Sequence, residues 1–145
     1  MLSADIKHIE LLKRTYPLVK ENSVEVGSHT YAHMFKKNPE LKRLFASTSP
    51  GQAQRLMDAI LFYCEEVDNY NIFYERLDAI AQVHIKAGVK NEFYVEMKDA
   101  FLLALQEVLG EEADKNFLRA WEYGFESLAN ELIHIENLIR KYQKH

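Results

Sequence analysis

The chain has 145 residues, 48% of them hydrophobic and 28% charged, with a formal net charge of -4. That length suits one packed unit, and the hydrophobic share excludes a disordered segment. The mild acidity gives no basic footprint for nucleic acid or an anionic membrane surface, and no apolar run reaches the roughly 20 residues that a membrane span needs.

Ser3 is placed to cap a first helix, with Ile6, Ile9, Leu12 and Tyr16 on one face. Pro17 should kink or end it. Asn22-Ser23 punctuates the chain and caps a second helix, whose inward face reads Val24, Gly27, Tyr31, Met34 and Phe35. Gly27 lowers helix propensity there, and a close approach by another backbone would explain it. Asn38-Pro39 is an N-cap followed by proline at the first helical position, opening a short helix to Phe45. The stretch from Ala46 to Gly51 is a loop by composition. Ser49 and Gln52 have capping-box spacing at the start of the next helix, which turns Gln52, Leu56, Ile60, Tyr63 and Val67 inward. Asp68-Asn69 breaks it.

In the following helix Leu77, Ile80, Ala81 and His84 share one face, and Gly88 ends it in the left-handed conformation that helix termini favour. One imidazole therefore closes an apolar stripe. Asn91 caps a long helix carrying Tyr94, Met97, Phe101, Leu105 and Val108 on one side, and Gly110 stops it. A last helix runs from about Ala113 to about Tyr142, with Trp121, Phe125, Leu128, Leu132, Ile135 and Ile139 spaced by four and three. Nothing alternates with period two. The class is all-α, with six or seven helices in one domain over residues 1–145.

Cys64 is the only cysteine, so no internal disulfide forms and the Cys-x-x-Cys-His signature of covalent haem is absent. The N-terminus has no signal-peptide pattern, and a reducing cytoplasm is the expected location.

Five polar side chains sit on otherwise apolar faces: Tyr31, Gln52, His84, Tyr94 and Glu136. Each has a plain reading. A histidine on an apolar face can be a satisfied core residue. The two tyrosines can be core aromatics with hydroxyls at the rim. Gln52 can be half of a capping box, and Glu136 can face solvent and pair with Arg140 one turn on.

Their order and spacing tell more than each residue singly. The run from Phe35 to Phe45, then His84-Ile85-Lys86-Ala87-Gly88-Val89 with Tyr94, then Val108-Leu109-Gly110 and Ala120-Trp121, resembles the bacterial globins. The likeness is to single-domain haemoglobins and to the globin half of flavohaemoglobins, and it covers nearly the whole chain. It departs from that pattern in a short Ala46–Gly51 loop, in Ala53 where relatives often carry proline, and in Val83 where many carry lysine.

The resemblance implies a globin fold around a non-covalent haem b. His84 would be the iron ligand, and Phe45 would pack on the porphyrin. Tyr31 and Gln52 would be the distal polar pair, with Leu56 the distal apolar residue. Val89 and Met97 would line the pocket, and Tyr94 and Glu136 would surround the histidine. The imidazole's second nitrogen needs an acceptor, which the Ile80 carbonyl or a buried Glu136 could provide, with Tyr94 on the carboxylate's other oxygen. An ionised Glu136 would push electron density toward iron, while Tyr31 and Gln52 are donors suited to a bound gas carrying partial negative charge. Tyr31, Gln52, Tyr94 and Glu136 are thus the expected catalytic set, with O2, NO and CO as ligands. The expected function is O2 binding coupled to nitric oxide dioxygenation. Because the sequence stops at His145, electrons are expected from a separate reductase. The alternatives are an O2 carrier, a haem gas sensor, and a haem-free globin fold acting through partners.

Overall fold

Breakers in this chain stand mostly at helix ends, so the helices between them are long. A computed structural model describes residues 2–46, 52–66 and 69–143. They form α1 (Leu2–Glu21), α2 (Ser23–Lys37), α3 (Pro39–Ala46), α4 (Gln52–Glu66), α5 (Tyr70–Ala87), α6 (Phe93–Leu109) and α7 (Lys115–Gln143). A 3-10 turn, Gly110–Glu112, separates the last two, and no strand occurs among the described residues. The expected all-α architecture is the one observed. The capping of α4 by Ser49, and the inward placing of Val67, fall outside the described residues.

Pro17 neither ends nor splits α1. The proline is exposed, while Leu12 and Val19 on either side of it are 2% and 0% exposed. Packing of both halves outweighs the lost hydrogen bond and ring clash of an interior proline, together about 3 kcal/mol. Ser3 lies inside the helix rather than ahead of it. Asn22 occupies the N-cap of α2 but does not cap it. Its amide turns back and donates to the Leu18 carbonyl at 2.9 Å, closing the end of α1 instead. Asn38 does behave as a cap: its side-chain oxygen accepts from the Glu40 N–H at 3.1 Å, and its amide donates to Glu96 on α6 at 2.9 Å. Asn91 is not the cap of α6, which starts two residues later. α7 starts after Asp114, whose carboxylate accepts from the Phe117 N–H at 2.9 Å.

Two inward faces are corrected. Val24 is 72% exposed, and Val26, Gly27, Thr30 and Met34 form the buried side of α2. On α4 the deepest residue is Met57, at 0% exposure, beside Ile60, Leu61 and Tyr63, while Leu56 is half-buried. α2 lies across α4 and α6, α1 lies on α7, and α5 and α6 both pack on α7. Gly27 sits at the α2–α4 crossing, where a Cβ would stand 2.9 Å from the Ala53 carbonyl oxygen and 3.0 Å from Met57 Cγ. The close backbone approach expected at Gly27 is present. Trp121 joins the first and last helices: its indole N–H donates to Thr15 Oγ1 at 2.9 Å, and that hydroxyl donates to the Leu11 carbonyl at 2.7 Å. No helix of the described residues is long and apolar enough to cross a membrane.

Candidate functional site

His84 is fixed by the way its helix stops. Gly88 adopts φ 78°, ψ 27°, and two hydrogen bonds fold the chain back: Gly88 N–H to the Ile85 carbonyl at 3.1 Å, and Val89 N–H to the His84 carbonyl at 3.0 Å. This paired arrangement is the Schellman turn that glycine favours. Leu77 and Ala81, the deeper members of the stripe, are fully buried. The His84 side chain keeps 23% exposure, so the imidazole stands at an opening and not in the centre of the core.

Three helices converge on its ring. Tyr94 opens α6, and Glu136 comes from α7, four residues after the buried Leu132. Tyr94 donates its hydroxyl proton to Glu136 Oε2 at 2.6 Å. His84 Nδ1 lies 2.7 Å from the same hydroxyl oxygen and 3.4 Å from Glu136 Oε2. A phenol has one proton, and it goes to the carboxylate. The short contact from Nδ1 is therefore a donation by the imidazole N–H to the tyrosine oxygen. That puts a proton on Nδ1 and leaves Nε2 as the nitrogen turned away from the relay. Among the described residues none bonds Nε2. The partner of Nδ1 is a side chain and not the Ile80 carbonyl.

Glu136 is 0% exposed, so it does not face solvent. Both Tyr94 and His84 address one of its oxygens, Oε2. The tyrosine does not take the second oxygen, and Oε1 has no hydrogen-bond partner among the described residues. Arg140 Nη2 stands 3.9 Å from Oε1. Burial foremost, then the hydrogen bond and charge of Glu136, holds the Tyr94 phenol far above its usual range, so it stays a donor. Met97, one turn along α6, and Val89, just past the turn, are 4% and 1% exposed.

The other expected residues belong to a second group of helices. Tyr31, on α2, is half-buried and stacks on Phe35 with ring centroids 5.3 Å apart. Burial pushes its phenol up to about 12, partly opposed by the Arg55 charge. Leu56 is on the adjoining α4. Phe45 is in the last turn of α3 and Gln52 is the first residue of α4, and their side chains lie outside the described residues. The structure thus brings His84, Tyr94 and Glu136 into contact and puts Tyr31 and Leu56 on a neighbouring helix pair. Phe35 is not among the expected site residues; its spacing of four from Tyr31 on one helix is the signal for the stack. Cys64 is half-buried, and burial pushes its thiol up to about 12, which removes it as a nucleophile. Among the described residues no set of three or more His, Cys, Asp or Glu side chains is arranged to hold a metal ion.

The fold is shared with known proteins. The globin family model matches residues 28–132. A globin-like protein of Aquifex aeolicus is 37% identical over 88% of this chain and 91% of its own. A flavohemoprotein of Chromobacterium violaceum is 35% identical over 88% of this chain, which spans only 32% of that longer protein. Among solved structures, a bacterial globin from Campylobacter jejuni superposes with a TM-score of 0.82 at 28% identity, over 92% of this chain and 97% of its own. A candidate nitric oxide dioxygenase from Rhodothermus marinus, engineered as a carbene transferase, superposes with a TM-score of 0.87 at 25% identity, over 96% and 97%. With the family model covering most of its length and the helices superposing throughout, the chain belongs to the globin family.

Proposed function

We propose that this protein binds one non-covalent haem b through Nε2 of His84 and supports nitric oxide dioxygenation with electrons from a separate reductase. The observation that carries the reading is the relay from Nδ1 of His84 through Tyr94 to Glu136, which leaves the other nitrogen of that ring, Nε2, without a partner among the described residues. A lone histidine with no further protein donors suits a metal that arrives with its own four ring nitrogens. Bound haem supplies a redox-active iron at which O2, NO and one electron combine to nitrate.

The chain's residues account for the remainder. Glu136, next to the Nδ1 proton, raises the electron-donating power of the imidazole, which favours redox turnover over storage alone. Tyr31 keeps its proton well beyond neutral pH and serves as the donor to bound gas, with O2, NO and CO as the ligand class. Gln52 assists on that side. Phe45, Leu56, Val89 and Met97 supply the apolar walls. The flavohemoprotein relatives and the Rhodothermus protein support the dioxygenase reading over a carrier. A cytoplasmic setting, where reductases are available, fits it.

Two measurements test this. The visible spectrum of the purified protein should show bound haem, and His84→Ala should lose most of it. An unchanged ferrous spectrum in that variant overturns the ligand assignment. Supplied with O2, NO and a flavin reductase, the protein should form nitrate over many turnovers. A stop after one turnover per haem, with the reductase active, leaves an O2 carrier.

A further inference from the structure

One buried polar atom is left over by the relay: Glu136 Oε1, in a carboxylate that is 0% exposed. Leaving such an oxygen unpaired is costly, and a carboxylate with one free oxygen can rotate. The nearest cation is Arg140, one turn along α7, with Nη2 at 3.9 Å from Oε1. The same Nη2 donates to the Val89 carbonyl at 3.3 Å, and Nη1 donates to Asn137 Oδ1 at 3.4 Å. Val89 is the residue whose N–H caps His84. Arg140 thus connects two things that bear on the histidine: the turn that stops its helix, and the idle oxygen of the acid behind its ring. It also walls an open cleft of about 430 Å3, bordered by Ile85, Gly88, Val89 and Lys90.

We infer that Arg140 is a positioning residue of the proximal side: by engaging Oε1 and anchoring Val89, it keeps Glu136 Oε2 aimed at Tyr94 and His84. Without the guanidinium, the carboxylate is free to turn Oε1 toward the cleft and solvent. Oε2 then leaves the tyrosine, and the imidazole loses its charged neighbour. The inference rests on the proposal that His84 holds the iron.

The test is the iron–histidine stretch in the resonance Raman spectrum of the ferrous, haem-loaded protein, read with the ferric/ferrous potential. Glu136→Gln serves as the yardstick and should lower the frequency and raise the potential. Arg140→Met should shift both in the same direction by less. Arg140→Lys, with a charge but no fork, should recover part of the difference. Arg140 is partly exposed, so the variants should fold, and circular dichroism checks this. An unshifted or raised frequency in Arg140→Met, with Glu136→Gln lowered, overturns the role of Arg140 alone. Absence of any iron–histidine band in wild type overturns the ligand assignment and this inference together.

Discussion

Tyr31 and Cys64 both have ionisations displaced upward by burial, and each gives a direct test. The phenol of Tyr31, pushed up to about 12, remains a hydrogen-bond donor until the solution is strongly alkaline. A hydrogen bond to a charged acceptor contributes about 1.5–3 kcal/mol, so Tyr31→Phe should speed O2 dissociation by roughly ten- to a hundredfold, with a smaller effect on CO. In wild type, the rate measured by stopped flow should stay flat from neutral pH to pH 10 and climb only as the pH approaches 12, when the proton is lost. The Cys64 thiol, also near 12, has almost no thiolate at pH 8. Iodoacetamide should label it slowly in the native protein and rapidly after denaturation, as read by mass spectrometry. At this scale the sequence was informative about identity and weak about orientation. His84 and Glu136 stand out as polar residues on apolar stripes. Nothing in the order of residues says that Tyr94 and His84 would share one carboxylate oxygen, because that depends on three helices meeting.

The α2–α4 crossing is the element most sensitive to a single atom. In Gly27→Ala the new Cβ meets a backbone carbonyl, which cannot swing aside, so the helices must separate. Overpacking of this kind costs about 1–3 kcal/mol, against a helix-propensity gain of about 1 kcal/mol. Gly27→Ala should lower the melting temperature. Gly124→Ala, on α7, meets only the Leu12 side-chain tip at 3.1 Å, which can rotate, and should be close to neutral or mildly stabilising. Helix boundaries were legible wherever a residue acts through its own conformation, as at Gly88, Gly110 and Pro39. They were misread where a side chain had a choice of partners. Asn22 closes the helix behind it, and the cap of α7 is Asp114, one residue past the expected start. Pro17 shows the converse, a local breaker overruled by burial of the residues around it. On α4 Ile60 and Tyr63 are buried as expected, but Met57 takes the place expected for Leu56, because a helix with apolar residues on several sides does not declare which one faces inward.

For the molecule as a whole, the globin reading predicts that stability depends on cofactor. A ligand at a hundred times its Kd adds about 2.7 kcal/mol to the native state, which for a chain of this size raises Tm by roughly 5–11 °C. Haem titrated into apoprotein should produce such a rise in a thermal melt, and His84→Ala should abolish most of it. The fold was legible because long amphipathic segments leave one class of packing. The site was legible in part because its three contacting residues each interrupt such a segment. The helix pair bearing Tyr31 and Leu56 meets α5, α6 and α7 only through tertiary packing, which spacing along the chain does not encode.

The turn at Gly88 has a consequence for how the cofactor is captured. The carbonyl of His84 is held by Val89, and its ring by Tyr94, so both contacts lie within the chain. Immobilising a backbone unit and a side chain costs on the order of 1–2 kcal/mol in conformational entropy, and here that loss is incurred during folding. If His84 holds the iron as proposed, these contacts within the chain set the orientation of its imidazole and lower the cost of ordering it on the cofactor.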